Sequence, residues 1–332
     1  GARVVVNTLV WEDGYPNDTL SELSRLIETR FAGRPVAAGA AAPVWVQAGS
    51  GAVGRVWAGP YLDADENGAM EFASTAVAVP RGRWTRELNF LRFAPAGGSP
   101  VAVLPAGYRL RVTVQWREPH DPEGFLPVEP VFPLSLRVLR QLDPEGKTVA
   151  SDEFVEVGRS AGPAVRLLKT AASGVYEQSL ELTVPADGVY AVRVEGRPGY
   201  DYNLPALRQA VQVTPKVVVE PFDGAEAAKG RPVLRTFSTV TAGVGIAGDS
   251  PAAVAVGVDV PAGAPPRTLT GAGPGVALRV KPDLLAPGAV GVDGTGADGS
   301  AVGAAFAGGT AASLLSAGVR EADLIRTVGL NP

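Results

Sequence analysis

The chain has 332 residues, of which 46% are apolar and 19% are charged, and this composition predicts packed domains rather than disorder. Its net charge is −4 and its Lys and Arg residues are scattered, so neither a nucleic-acid partner nor binding to a membrane surface is expected. The absence of cysteine excludes disulfides, thiol catalysis and cysteine-ligated zinc, and no apolar run is long enough for a transmembrane helix.

The first 51 residues carry the pattern of an α/β unit. Residues 3–10 form an apolar run typical of a buried parallel strand, and residues 43–48 form another. Between them, Asp18 or Thr19 can cap a helix over about 20–31, whose predicted apolar face consists of Leu20, Leu23, Leu26 and Ile27. Because Gly1 is not an initiator Met and a strand follows at once, we expect the chain to be a fragment or a processed form without its upstream part.

Residues 52–215 have a different texture, with apolar and polar residues alternating. The alternation from Tyr108 to Trp116 predicts a strand with one wet face, and Leu134–Val138 suggests another strand. Two further alternating runs flank Pro185–Gly188, which contains an Asp-Gly turn, and together they predict a hairpin. We therefore expect an antiparallel β-sandwich, similar to a jelly roll, inserted into the α/β domain.

From residue 216 onward the α/β pattern returns. Ala253–Val260 predicts a short strand, a helix of small residues follows at about 301–317, and a last helix is expected near 320–327. The predicted fold is thus a parallel-sheet α/β domain formed by residues 1–51 and 216–332, split by the all-β insert 52–215.

Four segments carry a more specific signal. Lys281–Gly288 reads Lys-Pro-Asp-Leu-Leu-Ala-Pro-Gly, and Gly299–Gly309 reads Gly-Ser-Ala-Val-Gly-Ala-Ala-Phe-Ala-Gly-Gly. Upstream lie Val44–Ser50 and the segment Ile246–Gly257. In this order the four segments resemble the C-terminal part of the catalytic domain of subtilisin-like serine proteases (subtilases), over residues 1–51 and 216–320. The resemblance implies a subtilase-type sheet and hydrolysis of peptide bonds in a peptide or protein substrate.

The resemblance also implies roles for individual positions. In subtilases the second segment reads Gly-Thr-Ser and opens the helix that carries the nucleophile, so a gap-free match places Ala301 at the nucleophile position and Ser300 at the preceding Thr. Ser50 falls where the family has the oxyanion-hole Asn. Sliding the match by one residue makes Ser300 the nucleophile but misplaces Gly309.

These positions depart from the family in ways that matter chemically. Ala301 has no hydroxyl and cannot attack a carbonyl, and Ser50 is a shorter donor than an amide, a type of loss that typically costs about 10²–10³ in rate. The Asp-Ser/Thr-Gly and His-Gly-Thr motifs of the family do not occur, and the only histidine, His120, lies between prolines in a predicted loop of the insert. We therefore predict that the chain as written has no catalytic triad.

Three histories fit these departures. The chain lacks an upstream segment with Asp and His, or it is a decayed pseudoenzyme, or Ala301 is an inactivating substitution. An inactivating substitution at Ala301 does not by itself explain the further departures from the family at Ser50, Gly303 and Gly308. On the first history the missing upstream subtilase segment is itself a partner. The family resemblance also implies a secreted or periplasmic bacterial protein.

The sequence Asp63–Phe72 is the best metal candidate. Asp63, Asp65 and Asn67 stand at the first, third and fifth positions of an Asp-x-Asp-x-Asn-Gly loop, and Glu71 stands at the ninth, a pattern that suits calcium. The twelfth position is Ser rather than Glu, so the full EF-hand loop is not met. The alternative is an acidic turn held by hydrogen bonds from Asp and Asn side chains.

A different class of function also fits the sequence. The insert would then be a non-catalytic module that binds protein, glycan or calcium, with Trp57, Trp84 and Trp116 as a candidate platform. The alternative for these tryptophans is a place in the sandwich core, most clearly for Trp116. The alternating arginines at 109, 111 and 117 are interpreted as a solvated face rather than an anion site.

Overall fold

The structure is a computed structural model of the whole chain. It describes residues 4–9, 22–31, 43–49, 54–59, 61–73, 77–78, 84–96, 98–119, 130, 132–142, 154–161, 164–169, 173–196, 213, 215–237, 248, 250, 252–259, 273–275, 279–281, 283–287, 289–290, 297–298 and 300–318. Over these residues the protein is mostly β, with one small parallel sheet, two larger antiparallel sheets and few helices.

The described strands are short and numerous, as the high glycine and proline content predicts. In chain order they are β1 (Val4–Asn7), β2 (Val44–Ala48), β3 (Val56–Ala58), β4 (Val77–Ala78), β5 (Trp84–Thr85), β6 (Asn89–Pro95), β7 (Arg109–Pro119), β8 (Ser135–Gln141), β9 (Phe154–Arg159), β10 (Val165–Lys169), β11 (Ser173–Thr183), β12 (Tyr190–Glu195), β13 (Lys216–Pro221), β14 (Gly230–Leu234), β15 (Ala253–Asp259), β16 (Gly273–Gly275), β17 (Arg279–Lys281), β18 (Leu284–Pro287), β19 (Ala289–Val290) and β20 (Ala297–Asp298). The described helices are α1 (Glu22–Phe31), α2 (Gly224–Lys229) and α3 (Ser300–Ser316). None of them is long and apolar enough to cross a membrane.

The chain divides into two compact units. Unit 1 consists of Gly1–Val53 and Thr239–Pro332, and unit 2 is the continuous segment Gly54–Ser238. The predicted insert ended at residue 215, but β13 pairs with β7 and β3, and β14 pairs with β6. The sandwich therefore extends about 20 residues further than the sequence pattern suggested, because the apolar run of β13 suits a buried sandwich strand as well as a parallel one.

Unit 1 contains a sheet of four parallel strands in the order β1-β2-β15-β18. Alternate residues of β2 point to opposite faces, so Trp45 faces α1 while Val46 faces α3. On the α1 face Leu23, Ile27 and Phe31 pack against the sheet. Leu26, predicted on the same apolar face, is instead 52% exposed, because the contact with the sheet is narrower than the predicted apolar face.

Unit 2 contains two antiparallel five-stranded sheets. The first sandwich sheet has the order β10-β11-β7-β13-β3, and the second has the order β14-β6-β12-β8-β9. One core cluster is formed from the inner faces of both sheets, including Leu110, Val112 and Val114 from β7 and Leu136 and Val138 from β8. The predicted apolar face is confirmed, since the apolar side chains of Tyr108 and β7 up to Trp116 are all buried. The predicted wet face is not wet along its whole length, because Thr113 is 6% exposed and Gln115 is fully buried.

The predicted hairpin around Pro185–Gly188 is wrong. β11 pairs with β7 and β10 in the first sandwich sheet, whereas β12 pairs with β6 and β8 in the second. The turn therefore carries the chain from one sheet to the other, and its Asp187 carboxylate accepts the backbone N–H of Ala106 at 2.6 Å. Alternation fixes which face of a strand is buried but does not fix the strand beside it, so two adjacent alternating runs can face each other across a core.

Candidate functional site

Helix α3 lies on the parallel sheet and begins at the edge formed by the carboxyl ends of the strands. Near its start, a Cβ placed on Gly303 would lie 3.4 Å from the carbonyl oxygen of Gly257 and 3.5 Å from Ala286 Cβ. Near its end, Leu315 packs with Val4 and Val44, which lie at the opposite ends of their strands. The helix thus runs antiparallel to the strands. The carboxyl edge of an open parallel sheet is where ligands bind in α/β proteins.

The two candidate nucleophile positions fall in the first turn of this helix. Ser300 is the first residue of α3 and Ala301 is the second. The first N–H groups of a helix have no partner within it and carry the positive end of the helix dipole, so this is a suitable place to stabilise negative charge.

Ser50, the predicted oxyanion residue, lies outside the described residues. The residue before it, Gly49, donates its N–H to Val256 O at 2.8 Å, which continues the pairing of β2 with β15 beyond Ala48. The chain therefore reaches Ser50 from the same carboxyl edge at which α3 begins.

Asp283, from the Lys-Pro-Asp segment, joins two of the strands. Its carboxylate Oδ2 accepts the N–H of Ala255 at 2.7 Å, and its own N–H donates to Ala255 O at 2.8 Å. Both backbone groups of Ala255 are thus bonded just before β15 and β18 begin to pair. Asp283 has a structural role here, because it fixes the register of the strand that leads to the carboxyl edge.

A buried amide at the same edge was missed by the sequence analysis. Gln47 is fully buried in β2, and its Oε1 accepts from Asn7 Nδ2 at 2.8 Å and from Trp45 Nε1 at 3.2 Å. Its Nε2 donates to Leu9 O at 2.7 Å, so one side chain links the ends of β1 and β2. The available signal was a single Gln in an apolar run, opposite the Asn that ends the preceding strand.

The Asp63–Phe72 segment forms an acidic loop that is held by hydrogen bonds among its own residues. Asp63 is 5% exposed, and its two carboxylate oxygens accept the N–H groups of Asn67 at 3.0 Å and Gly68 at 2.9 Å. The Asn67 side chain donates to Asp65 at 3.1 Å and accepts the N–H of Ala69 at 2.7 Å. These bonds are the ones expected of an acidic turn held by Asp and Asn side chains.

Two carboxyls of this loop have raised pKa values. Burial raises the pKa of Asp63 above its usual 3.8, and the two backbone N–H bonds oppose this only in part. Burial likewise raises the pKa of Glu71 above its usual 4.5, although Arg86 Nη2 lies 2.9 Å from its Oε1. Asp65 adds repulsion to both groups. The ionised carboxylates are therefore costly to the folded state.

The calcium prediction at this loop stays a prediction. No group of three or more His, Asp or Glu side chains within the described residues is arranged to hold a metal ion. The Asp63 oxygens already accept two backbone hydrogen bonds, which a calcium ion would have to share or replace. Calorimetric titration of the full chain with calcium, compared with an Asp63→Asn variant, measures directly whether the ion binds here.

Two of the three tryptophans of the candidate binding platform, Trp57 and Trp116, lie in the sandwich core instead of on a surface. Trp57 is 4% exposed and its Nε1 donates to Phe72 O at 3.0 Å, while Trp116 is fully buried and stacks with Tyr176. Both belong to the core cluster of the sandwich. The side chain of Trp84, together with His120, lies outside the described residues.

The arginines of β7 are held by acidic neighbours, as a solvated face would be. Arg111 lies 2.9 Å from Glu181 and 3.5 Å from Glu220. Arg109 lies 3.7 Å from Asp223 and stacks over the Phe222 ring, 3.6 Å from its centroid. The side chain of Arg117 is outside the described part.

Comparison with known proteins adds no relative. No protein-family model matches the chain, and no curated protein matches it significantly.

Proposed function

We propose that unit 1 is a scaffold of the subtilisin-like serine endopeptidase type, and that the chain as written does not hydrolyse peptides. The observation that carries this proposal is the position of residues 300 and 301. They open a helix of small residues at the carboxyl edge of parallel strands, and the chain leading to Ser50 reaches the same edge.

The order of the strands supports this proposal. The segments that resemble subtilases supply β2, β15, β18 and α3, and the first three are neighbours in one parallel sheet. The small residues of α3 allow the helix to lie close to the sheet, since Gly308 approaches Val6 and Gly303 approaches Gly257 O. Similar motifs scattered over unrelated elements would not meet in this way.

The inactivity follows from elementary chemistry. Acyl transfer by a serine protease needs a hydroxyl oxygen and a base that removes its proton. The methyl group of Ala301 offers no such oxygen. His120 supplies the only imidazole in the sequence, and there is no thiol. Ser300 is the only hydroxyl at the start of the helix, and a role for it would need an activating base.

Activity-based labelling tests the inactive assignment. We expect the full chain to show no labelling by a fluorophosphonate probe and no hydrolysis of a fluorogenic peptide. Active subtilisin serves as a positive control in the same assay. Probe labelling of the wild type that disappears in Ser300→Ala would overturn the proposal, because it would identify Ser300 as an activated nucleophile.

A pair of engineered cysteines tests the scaffold separately. Because the chain has no cysteine, a Ser50→Cys, Ala301→Cys variant carries only the two introduced thiols. We expect a short bifunctional maleimide to join them within one chain. The matched control, Ser50→Cys with Ala312→Cys, places the second thiol about 16 Å further along the helix and should not crosslink. Equal crosslinking of the two variants, or none in either, contradicts the proposed site.

A further inference from the structure

Three arginines from two distant parts of the sequence lie on or beside neighbouring strands of the second sandwich sheet. Arg92 lies in β6, Arg231 lies in β14, and Arg235 follows β14, with its N–H donating to Phe90 O at 2.6 Å. The register pairs Arg92 with Val233. Arg231 and Arg235 are each two residues from Val233, so both are diagonal neighbours of Arg92 and within reach of its long side chain. We call these three residues the arginine cluster.

The strand pleat places Arg92 and Arg231 on the outward face, and Arg235 continues the same alternation just after β14 ends. Leu91, Phe93 and Leu234 point inward into the sandwich core, so the residues that alternate with them point outward. Arg231 and Arg235 are exposed, and Arg92 is half-buried. The cluster is therefore accessible from solvent.

Other arginines of the same sheet have acidic partners. Arg137 is paired with Glu195 at 2.5 Å and with Glu156 at 3.3 Å, and Arg193 lies 3.1 Å from Glu87. Among the described residues, no carboxylate forms an ion pair with any member of the arginine cluster. The chain has 34 acidic and 30 basic residues, so a shortage of acidic residues does not explain why the cluster has no acidic partner among the described residues.

The uncompensated positive charge has a cost. Like charges on neighbouring strands repel each other. Partial burial lowers the pKa of Arg235 and the charge of Arg92 lowers it further, so the charges of Arg92 and Arg235 lie close enough to repel each other. An anion held between the guanidinium groups would relieve the repulsion.

We propose that the arginine cluster is a binding site for a phosphate or sulfate group. Guanidinium groups donate parallel N–H bonds to the oxygens of such tetrahedral anions, and three of them on neighbouring strands supply both charge and donors. The group is either a free ion or a substituent of a larger anionic ligand such as a sulfated glycan. This site belongs to unit 2 and does not depend on the protease proposal.

Titration of the full chain tests the site and separates the two sources of the group. The probes are inorganic phosphate and a heparin tetrasaccharide, each titrated by calorimetry in a chloride buffer of low ionic strength. We expect one or both to bind, and the affinity to fall as salt is raised. Binding of phosphate indicates a site for the free ion, whereas binding of the tetrasaccharide alone indicates a sulfated ligand. No binding of either probe overturns the proposal.

Variants then locate the binding. Arg92→Gln and Arg235→Gln should each weaken it by about tenfold, because each removes a charge-assisted pair of hydrogen bonds. The matched control is Arg25→Gln, which removes an exposed arginine of α1 and should leave the affinity unchanged. An equal loss in all three variants, or no loss in any, would show that binding is a general charge effect or lies elsewhere. Either result overturns the proposal.

Thermal unfolding gives a second measurement, made without and then with the ligand. Relief of the repulsion should leave Arg92→Gln at least as stable as the wild type in phosphate-free buffer, as judged by thermal unfolding. Addition of phosphate or tetrasaccharide should raise the Tm of the wild type and not that of the variant. A variant whose Tm rises with ligand as much as that of the wild type contradicts the site.

Discussion

The acidic loop shows most clearly what a single side chain contributes. Asp63 alone accepts the N–H groups of Asn67 and Gly68, and the bond to Gly68 is buried. Asp63→Ala would leave both donors without this acceptor, and we expect it to lower the free energy of unfolding by about 2–3 kcal/mol in urea denaturation. Asp65→Ala is the control, since Asp65 is exposed and, among the described residues, accepts a hydrogen bond from the Asn67 side chain alone; its cost should stay below about 1 kcal/mol. Equal costs would contradict the assigned role of Asp63.

The raised pKa of Glu71 predicts a pH dependence of known sign. Because the folded state holds this proton more tightly than the unfolded state does, the free energy of unfolding falls as pH rises from the usual pKa of 4.5 through the raised value. Glu71→Gln removes this titration. The stability of the variant relative to wild type should therefore increase with pH across that window, measured by urea denaturation at a series of pH values.

The control for this series is Glu66→Gln, which removes a negative charge from an exposed position in the same loop. It should not reproduce the trend. A difference between Glu71→Gln and wild type that stays constant with pH, or that shrinks as pH rises, would show that burial does not dominate at Glu71.

Among the elements, α3 allows a test with two adjacent glycines. A Cβ on Gly308 would collide with Val6 of β1, whereas a Cβ on Gly309 would meet nothing within 4 Å. Gly308→Ala should therefore destabilise the protein by about 1–3 kcal/mol through overpacking, while Gly309→Ala should stabilise it by about 0.5–1 kcal/mol through helix propensity. Denaturant unfolding of both variants gives the two signs. A stabilising Gly308→Ala would mean that the helix does not lie against β1.

The elements also show what the sequence could predict. The alternation of β7 and the apolar runs of β2 and β15 each indicate burial of a strand face, so these strands could be predicted from local pattern. The apolar run of β1 also predicted a strand, but not its burial, because β1 lies at the edge of its sheet and Val6 is 39% exposed. Strand pairing depends on contacts between distant residues, which is why the turn at Pro185–Gly188 was mistaken for a hairpin. The insert boundary at 215 was misplaced for the same reason.

The candidate site likewise has features that local sequence pattern predicts and features that depend on strand pairing. Ser300 and Ala301 could be placed at a helix start from local pattern. The amide network of Gln47 needs β1 and β2 to be neighbours in a known register, and the arginine cluster needs β6 beside β14. Neither arrangement is encoded in the spacing of its members along the chain.

At the scale of the whole molecule, unit 2 interrupts the chain between two strands that are neighbours in one sheet. β2 pairs with β15, although the residues of unit 2 separate them in the sequence. The ends of unit 2 meet, because Leu234 N–H donates to the carbonyl oxygen of Gly54 at 2.5 Å and Val219 N–H donates to Arg55 O at 2.9 Å. A segment whose ends lie together can be accommodated without separating the strands that flank it.

This geometry predicts that Gly54–Ser238 folds when expressed alone. The segment is continuous, and the core between its two sheets is formed by its own residues. We expect cooperative unfolding in urea and blue-shifted tryptophan emission, since Trp57 and Trp116 are buried in that core. Trp116→Phe should keep the fold but reduce the emission change on unfolding. A non-cooperative transition together with solvent-like emission of the isolated segment would mean that the sandwich depends on unit 1 for its stability, and that the two compact units are not independent in folding.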